Sequence, residues 1–291
     1  MQSAIDTFPP PRPAIKIARA THMGMCFGVR DAIALAEEES RRQPLTILGE
    51  LVHNESVLSV LRERGIGIEE HAGAVKTAAV MITAHGASEK TMKRVRERGL
   101  QVLEATCPLV HHAHRAVQQL AREGYHPVII GRREHVEVRG LTEDLDAFDI
   151  VLTETDVEQL AERPRFGIAA QTTQPIEKVR HLVDVIRRRF PASTVKFIDT
   201  VCQPTKQRQT AAIELARESD IVIVVGGERS NNTRELATTC QVYCRRVHHV
   251  QSADDLRPEW FDGCGNVGIT AGTSTPDWII DAVQQWIEAN L

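Results

Sequence analysis

Val102-Leu103-Glu104-Ala105-Thr106-Cys107-Pro108 and Phe197-Ile198-Asp199-Thr200-Val201-Cys202-Gln203-Pro204 repeat one pattern. An apolar strand reaches an acid, then a threonine, then a cysteine, and a helical pattern opens just beyond. Cys26 stands in a similar place, after a predicted strand at Ile15–Ala18 and before a helix opening near Val29. Cys26, Cys107 and Cys202 are 81 and 95 positions apart, each interval long enough for one small α/β unit. Three such units around an axis bring three strand-to-helix corners together, and such corners are where α/β sheets bind ligands.

The rest of the chain fits this plan. Apolar runs predict strands at Ala14–Ala18, Leu45–Leu48, Val80–Thr83, Val102–Glu104, His126–Ile130, Ile150–Leu152, Phe166–Ala169, Thr194–Ile198, Ile221–Val225 and Val267–Thr270. Helical patterns alternate with them at Val29–Ser40, Glu55–Arg64, Ser88–Arg98, His112–Glu123, Ile176–Arg189, Thr205–Glu218, Thr233–Thr239 and Asp277–Asn290. This alternation predicts α/β layers with mainly parallel sheets. The expected division is an N-terminal extension and first strand over 1–27 that packs with the third unit, then units over 28–107, 108–198 and 199–291. Residues 1–13, with Phe8-Pro9-Pro10-Pro11-Arg12-Pro13, read as a frayed extension without the order of a secretory signal.

Composition excludes several classes. The 291 residues are 42% hydrophobic and 25% charged, a globular balance. Net charge is −4, which argues against a general nucleic-acid binder, and Arg187-Arg188-Arg189 reads as a solvated helix end. No apolar run approaches the ~20 residues of a membrane span. A cytoplasmic location is expected, where a reducing medium keeps the six cysteines as thiols. Cys240, Cys244 and Cys264 read as small, half-buried side chains. The run Val224-Val225-Gly226-Gly227 hints at a nucleotide binder but lacks a Gly-x-Gly-x-x-Gly turn.

Thiols at helix N-termini have lowered pKa values and favour the anionic, metal-binding form. From spacing alone, these three are either metal ligands or unrelated buried cysteines. The segments around them decide. Val52-His53-Asn54, Ala84-His85-Gly86, Gly131-Arg132-Arg133-Glu134-His135-Val136-Glu137, Gln171-Thr172-Thr173, Gly226 through Thr233 and Thr270 through Asp277 are hydroxyl- and imidazole-rich loops after strands. Their recurrence in all thirds of the chain points to an anion site. His111, His112 and His114 follow Cys107, but only His111 and His114 share a helix face, so a zinc site there is the poorer reading.

With Cys26-Phe27-Gly28-Val29, Ala105-Thr106-Cys107-Pro108-Leu109-Val110 and Thr270-Ala271-Gly272 with Ser274 and Pro276-Asp277, these segments resemble the 4-hydroxy-3-methylbut-2-enyl diphosphate reductase (LytB/IspH) family. The resemblance runs from about Ile15 to Trp286. It implies a trefoil of three pseudo-symmetric α/β units around a central 4Fe–4S cluster, held by Cys26, Cys107 and Cys202 with one iron left open to substrate. It implies two-electron reductive dehydroxylation of an allylic diphosphate to isopentenyl and dimethylallyl diphosphate, in the methylerythritol phosphate route to isoprenoids, with a ferredoxin or flavodoxin as electron donor. His53, His85, His135, Thr172, Ser230, Asn231, Asn232 and Ser274 would hold substrate. Glu137 would supply a proton through Thr172, with His135 beside them.

The chain departs from the family pattern at three places. Where the family has His-Pro-Glu-Val-x-Gly-Thr, this chain has His135-Val136-Glu137-Val138-Arg139-Gly140-Leu141. Gln203-Pro204-Thr205-Lys206-Gln207-Arg208-Gln209 keeps only the Thr and Arg-Gln of the segment after the third cysteine, and Ser230-Asn231-Asn232 replaces Ser-Ser-Asn. These changes leave two alternatives: a paralogue acting on another allylic substrate, or a non-enzymatic iron–sulfur sensor.

Overall fold

The computed structural model describes residues 15–291. The extension read over residues 1–13, and Ala14 of the first predicted strand, lie outside them. In chain order the elements are β1 (Lys16–Arg19), α1 (Phe27–Arg42), β2 (Leu45–Leu48), α2 (Glu55–Glu63), β3 (Gly67–Glu69), β4 (Ala79–Ile82), α3 (Glu89–Glu97), β5 (Gln101–Glu104), α4 (Pro108–Arg122) and β6 (His126–Ile130). They continue with α5 (Val136–Thr142), β7 (Asp149–Val151), α6 (Glu154–Glu158), β8 (Arg165–Ala170), α7 (Ile176–Arg189), β9 (Thr194–Phe197), α8 (Gln203–Arg217), β10 (Ile221–Val225), α9 (Asn231–Gln241), β11 (Val247–Val250), β12 (Asn266–Ala271) and α10 (Asp277–Asn290).

The strands form three four-stranded sheets, ordered β5-β4-β2-β3, β9-β8-β6-β7 and β1-β12-β10-β11. Every pairing is parallel. The three orders superpose term by term, so β5, β9 and β1 are equivalent, as are β4, β8 and β12, and β2, β6 and β10. Parallel strands packed by helices are buried on both faces and read as continuous apolar runs. Ile221-Val222-Ile223-Val224-Val225 is such a run, buried along its whole length. Each sheet has its own main core, centred on residues such as Ile47 and Leu58, Phe166 and Ile168, and Ile223 and Ile269.

Several helices start where side-chain capping directs. Asn54 and Ser88 accept hydrogen bonds from Val57 N and Thr91 N at α2 and α3, and Thr153 forms a capping box with Asp156 at α6. The structure adds four elements to those predicted. Two, β3 and β11, are the outermost strands of their sheets; paired on one side only, they need no continuous apolar run. The other two are the short helices α5 and α6. Val136 through Thr142 carries two valines and a glycine and reads as loop, yet burial of Val138 and Leu141 fixes it as a helix turned onto its sheet.

Candidate active site

All strands of a parallel sheet end on one side, and each sheet here delivers three things there. Its inner edge strand leads to a cysteine: β5 to Cys107, β9 to Cys202, β1 to Cys26. The next strand leads to His85 after β4, Thr172 after β8 and Ser274 after β12. The third leads to His53 after β2, His135 and Glu137 after β6, and Ser230, Asn231 and Asn232 after β10. All the predicted site residues thus fall at matching strand ends.

One hydrogen bond recurs in each unit. The backbone N–H of Cys107 donates to Ala84 O at 3.1 Å, that of Cys202 to Thr172 O at 3.0 Å, and that of Cys26 to Thr273 O at 3.2 Å. Each acceptor lies two residues past the neighbouring strand, so the cysteine is registered against the loop that carries a polar site residue. Each cysteine is also the N-cap of the following helix: Cys26 of α1, Cys107 of α4, Cys202 of α8. None of the three side chains makes a capping bond to its helix. Proline in the first turn of α4 and α8 suits a position whose N–H needs no partner.

The three thiols are half-buried and free. Burial raises the Cys107 pKa above the ordinary thiol value, against the amides of Leu109 and Val110. Cys202 is pushed up to about 11, burial again outweighing Thr205, whose Oγ1 lies 3.0 Å from the sulfur. This corrects the sequence-based expectation for these two: the helix N-terminus lowers a thiol pKa, but desolvation is the larger effect. Cys26 and Glu137 raise both values further, which places them electrostatically in one site. Gly28 marks the tightness of the corner: a Cβ there would sit 2.5 Å from Cys107 Sγ. Glycine lets the start of α1 approach the second cysteine.

Beside the thiols lies an imidazole cluster. His53 stacks on His85 with ring centroids 4.5 Å apart, and His135 meets them edge-on at 5.1 and 5.5 Å. One ring nitrogen from each lies within 4.8 Å of the other two, a spacing that a metal ion or a phosphate could occupy. The surroundings separate the two. His85 Nδ1, Asn232 Nδ2 and Asn231 Oδ1 are buried without a hydrogen-bond partner, and Ser230, next to Asn231, and Ser274, next to the Thr273 amide that bonds Asn232, are buried too. A buried polar atom left unpaired costs about 1–3 kcal/mol, so such a concentration marks a ligand site, and amides and hydroxyls suit phosphate oxygens.

Second bonds orient the groups. Glu50 Oε2 lies 3.0 Å from His53 Nδ1. Burial opposes the Glu50 charge, but His53 and Arg229 hold its pKa below the usual value. The Glu137 amide donates to His135 Nδ1 at 3.1 Å, so the neutral ring carries its proton on Nε2. Thr273 N donates to Asn232 Oδ1 at 3.0 Å and Asn231 Nδ2 to Thr173 Oγ1 at 3.0 Å. Ser230, Asn231 and Asn232, read from sequence as loop, are the N-cap and first turn of α9, a helix N-terminus whose backbone amides suit an anion.

Burial and the neighbouring His53 and His135 hold the His85 pKa well below its ordinary value. Burial, then His53 and three arginines, takes His135 to about 3. Protein alone therefore keeps both rings neutral; phosphate charge acts in the opposite direction and favours the protonated form. Glu137 is 1% exposed. Its two oxygens accept from Thr172 N at 2.6 Å and Thr172 Oγ1 at 3.0 Å. Those bonds favour the carboxylate, but burial wins and raises its pKa to about 7.

Outside this cavity, His111 pairs with Glu104 at 3.2 Å, and His114 packs against the Gly86 turn and Gly140. They form no metal-binding group with Cys107 among the described residues. The sequence reading did not single out Glu50, which pairs with His53 three residues further on, a spacing that could have been noticed.

A three-lobed α/β fold with three helix-capping thiols, a histidine cluster and unpaired buried polar groups at matching strand ends defines a narrow class of protein. The chain belongs to the LytB protein family, whose model matches residues 17–288. It is 38% identical to 4-hydroxy-3-methylbut-2-enyl diphosphate reductase of Aquifex aeolicus, over 94% of this chain and 96% of that protein. It is 35% identical to the protein of that name from Trichlorobacter lovleyi, over 94% and 98%. The structure of E-1-hydroxy-2-methyl-but-2-enyl-4-diphosphate reductase from Plasmodium falciparum aligns with a TM-score of 0.87 at 27% identity, over 95% of this chain and 88% of that one. A structure of (E)-4-hydroxy-3-methyl-but-2-enyl diphosphate reductase, the terminal enzyme of the non-mevalonate pathway, aligns at 0.66 and 37%, over 95% and 100%.

Proposed function

We propose that this chain reduces (E)-4-hydroxy-3-methylbut-2-enyl diphosphate to isopentenyl and dimethylallyl diphosphate. Two electrons and two protons enter and the allylic hydroxyl leaves as water. The observation that carries this reading is the convergence, at matching strand ends of three sheets, of three free helix-capping thiols and a group of unpaired buried polar atoms.

The residues fit a 4Fe–4S cluster. Cys26, Cys107 and Cys202 would hold it through deprotonated sulfurs, and three ligands on four irons leave one iron for substrate. When bound, the cluster supplies electrons and a Lewis-acid site at the allylic oxygen. A ferredoxin or flavodoxin would feed it.

The chain's own residues do the rest. His53, His85, His135, Ser230, Asn231, Asn232 and Ser274 bind the diphosphate and so fix the allylic end towards the cysteines. Each charge-assisted hydrogen bond contributes about 1.5–3 kcal/mol. Glu137 is the acid. With a pKa raised to about 7 it is substantially protonated at neutral pH and can pass that proton through Thr172 Oγ1 to the departing hydroxyl. His135, bonded to the Glu137 amide, keeps the acid and the diphosphate in one frame. Under this reading residues 28–107, 108–198 and 199–291 are the three working units, with β1 serving the last. The six free thiols suit a reducing cytoplasm. Among the described residues no helix is long and apolar enough to cross a membrane.

Anaerobic purification should yield a brown protein with about four irons per chain that turns over the hydroxymethylbutenyl diphosphate with reduced viologen. A colourless, iron-free active protein would overturn the reading. A full cluster without turnover on any of a panel of allylic diphosphates would make the chain a sensor, and preference for another member of the panel would make it a paralogue.

A further inference from the structure

α8 is capped by Cys202, and two adjacent side chains along it reach distant loops, one before Cys26 and one in the second unit. Arg208 is 7% exposed. Its Nε donates to Gly24 O at 3.0 Å and its terminal nitrogen to the same oxygen at 2.7 Å, while the other donates to Pro204 O at 3.1 Å. Gly24 lies two residues before Cys26. The guanidinium therefore holds the approach to one thiol from a helix whose N-cap is another. Gln209 makes the parallel contact to the second unit: its Oε1 accepts from Ile176 N and its Nε2 donates to Gln174 O, both at 3.3 Å.

Among the described residues the Arg208 guanidinium bonds carbonyl oxygens and no carboxylate. After burial, the groups that act on it most strongly are Cys26 and Cys202. A buried cation needs a counter-charge, and thiolates holding a metal centre would supply it here. We infer that Arg208 is a positioning residue for the metal centre, fixing Cys26 against Cys202 and holding a permanent positive charge beside their sulfurs. This rests on the cluster reading above. A fixed cation next to an iron–sulfur cluster favours the reduced, more negative state and so raises its reduction potential. The forked guanidinium supplies both effects at once, whereas lysine retains only the charge.

The test uses the full chain, reconstituted anaerobically, as wild type, Arg208→Met and Arg208→Lys. Each is read by redox titration of the cluster and by loss of its visible absorbance in air. Arg208→Met should move the midpoint to more negative potential and shed its cluster about tenfold faster, the loss of a charged hydrogen-bond pair. Arg208→Lys should keep the wild-type midpoint yet still lose the cluster faster. Wild-type midpoint and cluster lifetime in Arg208→Met would overturn the inference. Should Arg208→Met not fold, Arg208→Lys decides alone: faster loss at an unchanged midpoint supports it, and a wild-type lifetime overturns it. A wild-type chain that takes up neither iron nor sulfide would sink the cluster reading and this inference with it, an outcome distinct from the others.

Discussion

The chain carries two sets of three cysteines, and they have opposite surroundings. Cys26, Cys107 and Cys202 cap helices at strand ends and are half-buried. Cys240, Cys244 and Cys264 are buried in apolar clusters, at 0%, 5% and 4% exposure, rather than half-buried as their sequence context suggests. Cys240 and Cys244 face the carbonyls of Ala212, and of Ser219 and Arg246, and Cys264 that of Trp260. Burial, with Cys244 nearby, pushes Cys240 up to about 12. A thiol there is a small hydrophobe with a weak donor. Position at a strand-to-helix corner, rather than the sulfur itself, separates a candidate ligand from filler.

That contrast can be broken most directly by substitution. Cys107→Ser should lose bound iron and activity together, while Cys240→Ala keeps its iron. Equal iron loss in both would erase the distinction. Next in size is Glu137→Gln, which should retain cluster and substrate affinity but lose roughly 10²–10⁴-fold in kcat; a near wild-type rate removes Glu137 from the reaction. His85→Ala should raise KM about ten- to a hundredfold with iron content unchanged, as one charge-assisted bond is lost.

The pH dependence carries a definite sign. The folded pKa of Glu137, about 7, exceeds its ordinary 4.5. Its stability contribution is therefore complete below pH 4.5 and declines as pH rises through 7. Between those limits chemical denaturation of the metal-free chain should show a steeper fall for wild type than for Glu137→Gln. His85 and His135, with depressed values, act oppositely, losing stability as pH falls below about 6.5, so only the difference between the two proteins isolates Glu137. The smallest effect is expected from Cys240→Ala, about 1 kcal/mol of stability with catalysis intact.

Much of the site was legible because its residues lie directly after apolar strands. The Cys107 and Cys202 repeat and the fully buried run of β10 are written in local order. Less legible were features that depend on tertiary contacts, within a unit or between units. Val136 through Thr142 becomes helical only because its sheet buries it, and Glu137 owes its raised pKa to that burial. The thiol values likewise follow desolvation, which a sequence does not display. Arg208 and Gln209 sit in a polar stretch whose partners are up to 184 residues away.

The pairing of β1 with β12 has a consequence in time. Lys16 registers with Asn266 and Arg19 with Ile269, so the first strand of the chain is an edge of the last sheet. Ribosomes add about 5–20 residues each second, so β1 must wait roughly ten to fifty seconds for its neighbour to be made. Cys26 is carried on the segment that follows β1. Of the three thiols, the one synthesised first is therefore the last to reach its station, so a cluster held by all three could not be fully gripped before the chain is almost finished. Loading would then belong to the end of synthesis, and a ribosome stalled late in the chain would leave two sulfurs waiting for a third already made.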